Sequence, residues 1–91
     1  MTVRIAGIEF DNTFYDRDAD VLYLHVGDPS DAVDWEDSPE GDGFRYGRGG
    51  RLVGITILNA RRRFEQDGKI VLTLPEQRVE ATGLGEVLTP A

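Results

Sequence analysis

The chain contains no cysteine, which excludes disulfide frameworks, thiolate zinc sites and cysteine nucleophiles. Serine occurs only at Ser30 and Ser38, and histidine only at His25. No nucleophile elbow, phosphate loop or His-Glu-x-x-His motif is present. A lone histidine on a strand would need a nucleophile and an orienting carboxylate from elsewhere in the fold. The expectation is therefore that the chain is not an enzyme and carries no cofactor. Long apolar runs are also absent, none approaching the roughly 20 residues of a membrane helix. Residues Met1 to Ile8 lack a basic n-region and a long apolar h-region, so a cytoplasmic address with no membrane partner is expected.

What remains is a chain of 91 residues, 40% hydrophobic and 30% charged, read as a single domain over 1–91. A domain of this size buries roughly 60 to 65% of its unfolded surface, so its stability rests on one small core. The net charge is -7, from 17 acidic and 10 basic residues, and it is unevenly spread. Residues 1–45 hold 12 Asp/Glu and 3 Lys/Arg, whereas residues 46–91 hold 5 and 7.

Gly and Asp cut the chain into short, β-prone segments. Val3 to Phe10 reads as a first strand, with Gly7 marking a bulge or a close backbone approach. Phe14 to Val26 reads as a hairpin around a tight acidic turn, with Leu22, Leu24 and Val26 on one face of its second arm. Residues 27–43 are polar and acidic, and the expectation there is a long loop or flap. Phe44 to Tyr46, the turn Gly47-Arg48-Gly49-Gly50 and Arg51 to Leu58 read as a second hairpin, with Val53, Ile55 and Ile57 facing the core. Asn59 is placed to cap a short helix from Ala60. Lys69 to Leu74 reads as a strand, and Pro75 is placed to start a second helix over Gln77 to Thr82 that ends at Gly83. The expected fold is α+β: a small, mainly antiparallel sheet of about five strands built from hairpins, with short helices after Leu58 and after Pro75.

Three constellations carry chemistry. The 27–43 segment concentrates Asp28, Asp31, Asp34, Glu36, Asp37, Glu40 and Asp42 around Trp35. An aromatic among charges is a plausible partner anchor, with Asp34, Glu36 and Asp37 as its acidic surround; the alternative is that Trp35 folds back over the sheet. Asp16, Asp18 and Asp20 alternate like the first ligands of a calcium loop, but Val21 and Gly27 stand where that loop needs Gly and Glu. A divalent-metal site there and a solvated turn held by Asp16 are the two readings. Arg61, Arg62 and Arg63 form the densest positive run, a candidate nucleic-acid contact opposed by the charge of the whole chain. Pairing of these arginines with the acidic half is the other reading.

Two stretches, Tyr15-Asp16-Arg17-Asp18-Ala19-Asp20-Val21-Leu22-Tyr23-Leu24 and Gly50-Arg51-Leu52-Val53-Gly54-Ile55-Thr56-Ile57-Leu58-Asn59-Ala60, resemble the signatures of the domain of unknown function 2283 family. The resemblance spans roughly residues 14–75 and implies a small β-sheet domain of small bacterial proteins with no established activity. The sequence departs from the pattern at Thr56 and Asn59, and at Arg48-Gly49, where acidic residues are usual. The resemblance further implies an antitoxin-like partner of a small toxin-like protein. The leading expectation is a non-enzymatic protein–protein interaction module for a basic partner. A small-ligand or divalent-metal domain at a dimer interface and a DNA-binding regulator are the rivals. Apolar residues on both sheet faces suggest a homodimer.

Overall fold

The computed structural model describes residues 2–28, 32–75 and 77–88. Its first hairpin is made possible by Ala6 and Gly7, which both adopt left-handed backbone angles (φ 53° and 78°). Two successive positive φ values form the tight turn whose twist suits a two-residue hairpin. Strand β1 (Val3–Ile5) and strand β2 (Ile8–Phe10) therefore replace the single bulged strand expected from the sequence.

The expected acidic-turn hairpin is formed by β3 (Asn12–Asp16) and β4 (Val21–His25). The 27–43 segment, expected as a loop, instead contains β5 (Asp34–Asp37), followed by a turn in which the Ser38 N–H donates to Asp42 O at 2.8 Å. Residues 29–31 of that segment lie outside the described residues. After the turn come β6 (Gly43–Tyr46), a single 3₁₀ turn over Arg48–Gly50, and β7 (Leu52–Leu58). The five strands form an antiparallel sheet in the order β3-β4-β7-β6-β5. A bulge between Arg45 and Tyr46 shifts the register, so that Leu52 rather than Val53 is buried beside Ile55 and Ile57.

Helix α1 (Ala60–Asp67) follows as expected, with Gly68 in the left-handed conformation at its end. Strand β8 (Ile70–Thr73) then pairs with β9 (Arg78–Ala81), so the helix expected over Gln77 to Thr82 is a strand. Val79 and Ala81 alternate with Arg78 and Glu80, and only the former pair turns inward. The second helix, α2, comes later, at Gly85–Leu88.

The core lies on one face of the main sheet. Leu22, Leu24, Phe44, Ile55 and Ile57 are buried there beneath Phe10, Ile70, Leu72 and Leu84 from the flanking hairpins and C-terminal segment. Among the described residues the opposite face is left largely open, and on it Phe14 and Tyr23 stack across β3 and β4 at 6.0 Å between ring centroids. Gly54, in the middle strand, has no room for a side chain: an added Cβ would lie 3.0 Å from His25 Cδ2. Among the described residues no helix is long and apolar enough to cross a membrane.

One ion pair fastens these parts together. The Asp42 side chain is fully buried and receives both guanidinium nitrogens of Arg63, at 2.8 and 3.1 Å, plus the Leu58 N–H at 3.1 Å. Arg63 also donates to Leu58 O and Val71 O. Breaking such a pair from one side strands the other charge, at a cost of about 3 to 5 kcal/mol. Whole domains of this size are stable by roughly 5 to 13 kcal/mol. Asp42→Ala is expected to lower the unfolding free energy by about 3 kcal/mol or more in urea denaturation, and Arg63→Lys to lower it measurably because the two-pronged contact is lost.

Candidate functional site

β5 places the Trp35 cluster at the rim of the sheet. All four of its residues, Asp34-Trp35-Glu36-Asp37, are exposed, because only β6 pairs with the strand and nothing among the described residues covers its outer side. Trp35 is 71% exposed, so it does not fold back over the sheet. Alternation along β5 sends Asp34 and Glu36 to the core-side face, in register with Tyr46 and Phe44, and sends Trp35 and Asp37 to the open face, in register with Arg45 and Gly43. The Trp35 N–H donates to Asp34 Oδ1 at 2.8 Å. The acidic residues around Trp35 are thus divided between two faces of one edge strand.

The open face carries the remaining exposed apolar groups of the sheet. Phe14, Tyr23 and Leu58 share it with Trp35, at 63%, 43% and 38% exposure for the first three. His25 lies on the same face but is buried over Gly54, its Nδ1 3.3 Å from Gly27 O. Its Nε2 has no hydrogen-bond partner among the described residues. Among the described residues the ring's one hydrogen-bonding contact is thus a backbone carbonyl.

The alternating aspartates of the β3–β4 turn have separate tasks. Asp16 Oδ1 accepts the N–H groups of Asp18 and Ala19 and so closes the turn. Asp20, held at φ 56°, accepts the Arg61 N–H at 2.7 Å, the Arg62 N–H at 3.2 Å and the Tyr15 hydroxyl at 2.8 Å. It is thus the acceptor for the free N–H groups that start α1. The sequence placed that role on Asn59, which instead turns left-handed (φ 53°) and makes no side-chain cap. No group of three His, Asp or Glu side chains among the described residues is gathered to hold a metal ion. Asp16, Asp18 and Asp20 are not brought together on a shared point.

The three arginines are also divided. Arg63 is locked on Asp42, and Arg61 Nε donates to Glu65 at 2.7 Å. Arg62 alone of the three has a guanidinium without a hydrogen bond among the described residues. The pairing of these arginines with carboxylates, one of them from the acidic half, is what the structure contains.

The family model described as "Protein of unknown function (DUF2283)" matches residues 12–61, more than half of the chain. The chain belongs to this family. No curated protein and no solved structure matches it. The matched segment runs from the start of β3 to the first turn of α1. The DUF2283 region of this chain is thus its five-stranded sheet together with the Asp20 contact to Arg61. It begins two residues before the resemblance seen in the sequence and ends 14 residues earlier, leaving the β1–β2 and β8–β9 hairpins outside.

Burial alone would raise the Asp20 carboxyl, but the Arg61 N–H, the Tyr15 hydroxyl and the Arg62 N–H together hold it below its ordinary value. Burial, then the hydrogen bond to Asp20, pushes the Tyr15 phenol up to about 12. A lowered carboxyl contributes stability above its unfolded value near 4, and that stability is lost as pH falls through the folded one. A raised phenol contributes below about pH 10 and ceases to as pH rises towards 12. Asp20→Ala is expected to cost about 1 kcal/mol at neutral pH in chemical denaturation. That deficit should shrink below pH 4, and in a tyrosinate absorbance titration the variant should show one phenol shifted down towards 10.

Proposed function

We propose that this DUF2283 protein is a non-enzymatic interaction module that binds a basic protein partner along β5. The single observation that carries the reading is an edge strand whose four residues are all exposed and consist of Trp35 and three carboxylates. Edge strands of stable proteins are usually shortened, covered or charged so that other chains do not add to them. Here the charge is of one sign, so the edge repels acidic chains and attracts cationic ones. Carboxylates would accelerate the encounter, and a largely exposed Trp would supply the buried contact that slows release. An antitoxin-like role, with a small basic toxin as the partner, is the form of this reading that the family resemblance suggests.

A second copy is the occupant favoured by a different observation, the open sheet face with Phe14, Tyr23 and Leu58. Face-to-face packing of two such sheets is an ordinary way to bury apolar residues left on a second face. The two surfaces are compatible, because Phe14 and Tyr23 lie on β3 and β4, at the other side of the sheet from β5.

The test is calorimetric titration with the purified product of the neighbouring gene, after sedimentation has fixed whether the chain alone is one copy or two. Trp35→Ala is expected to weaken binding by about 2 kcal/mol, roughly 30-fold, as hot-spot tryptophans do. Raising the salt concentration should slow association more than it speeds dissociation. Unchanged affinity in Trp35→Ala would remove β5 from the interface, and no heat with the wild type would remove that partner.

A further inference from the structure

Beyond β5, on the core-side face, the flanking hairpins do not close against the sheet. A cleft of about 610 Å³ is left there, between β5, the β1–β2 turn at Ala6 with the start of β2 at Ile8, the 3₁₀ turn at Arg48 and the β8–β9 turn at Leu74. That volume lies within the range of about 300 to 1,000 Å³ typical of ligand clefts. Its walls combine Ile8 and Leu74 with the carboxylates of Asp34 and Glu36, and Arg48 is the single cation among the described lining residues. Tyr46 stands between them, its hydroxyl buried and without a hydrogen-bond partner among the described residues. Burial raises the Tyr46 phenol, and Glu36 and Asp34 raise it further, which places the negative field of both carboxylates at the cleft wall.

Apolar walls that end in carboxylates match a side chain with a long hydrocarbon stem and a cationic tip, which is the chemistry of Lys and Arg. The position of the cleft says how such a side chain would arrive. A strand added to the free edge of β5 sends every second side chain to the core-side face, and so over Asp34, Glu36 and the cleft. The side chains between them fall on the open face beside Trp35. Cross-strand neighbours in such a pairing have Cβ atoms about 4.5 to 5.5 Å apart, within reach of an ion pair.

We propose that β5 accepts an extended segment of the partner protein as a sixth strand, and that the cleft receives a Lys or Arg side chain from that segment. This rests on the reading of β5 as the docking strand and specifies its ligand: basic residues at alternate positions, separated by apolar ones. The two faces are not equivalent for a cation: the Trp35 side offers one carboxylate, Asp37, with Arg45 one strand further in, whereas the core side offers Asp34, Glu36 and the cleft.

Trp35 is the only tryptophan, so its emission reports binding directly. Two peptides of identical composition serve as probes, one alternating Lys with Val or Thr, the other carrying the same residues in two blocks. The alternating peptide is expected to bind at least about tenfold more tightly, a difference of about 1.4 kcal/mol. The double variant Asp34→Asn, Glu36→Gln should lose about tenfold or more, whereas Asp37→Asn, on the other face, should lose less than about threefold. Arg48→Gln should bind the alternating peptide more tightly than wild type. Backbone N-methylation on the edge of the alternating peptide that faces β5 should abolish binding, and methylation on its other edge should not.

Equal affinity for the two peptides would overturn strand addition while leaving an acidic surface for basic proteins standing. Binding of the neighbouring-gene product without binding of either peptide would overturn it equally. Emission from the chain alone that changes with its own concentration, and is competed by neither peptide, would put a second copy on β5 and overturn the proposal.

Discussion

The pairing of Arg63 with Asp42 is the contact on which the rest of the arrangement depends. It joins four parts of the chain at one point: the turn after β5, the end of β7, helix α1 and strand β8. Asp42 is wholly buried, and a buried carboxylate is tolerable only with its acceptor capacity used. Here two guanidinium nitrogens and one backbone N–H use it. The Asp42 N–H in turn donates to Ser38 Oγ at 3.1 Å, and the Ser38 and Asp42 backbones close the turn. That turn begins where β5 ends. The pair therefore fixes the end of a strand that has little apolar burial of its own.

A second carboxylate works over a similar distance. Asp20 reaches the start of α1 from the β3–β4 turn, and the Ala60 N–H donates to Asp20 O at 3.1 Å beside the two side-chain contacts. The acidic first half of the chain thus has two of its charges committed to the basic second half, to the helix N-terminus and to Arg63. Such contacts position elements, whereas the carboxylates on β5 touch no cation among the described residues. The charge excess noted in the sequence is in this sense divided: part of it holds the fold, and part faces outward along one edge.

The hairpins were legible because their signals are local. Alternating apolar residues in Val21 to Val26 and Leu52 to Leu58, with glycines between Tyr46 and Arg51, identify strands and turns within a few residues of each other. β5 was not, because Asp-Trp-Glu-Asp sets one strand-favouring residue among three disfavoured acids and has no apolar face; it is a strand because β6 offers it an edge. Pro75 suits a helix start and so predicts helix over 77–82, yet Ile70 and Leu72 need a partner strand and Val79 and Ala81 supply it. The turn at Ala6 was hidden because a left-handed alanine is rare. Trp35 and its acidic neighbours were identified by composition alone. What composition could not show is their division between two faces, or the cleft beneath one of them. The roles of Asp20, Asp42 and Arg63 rest on contacts 21 to 42 residues apart, which no window of local sequence contains.

The proposed docking edge, β5, is distinct from the open aromatic face and from the arginine run. Amide hydrogen exchange of the full chain, with and without its bound protein partner, tests docking at that edge most directly. If the partner docks on β5, protection rises first and most at residues 34–37, with little change at Phe14, Tyr23 or Arg62. Protection confined to β3, β4 or α1, with β5 exchanging as in the free chain, would contradict it.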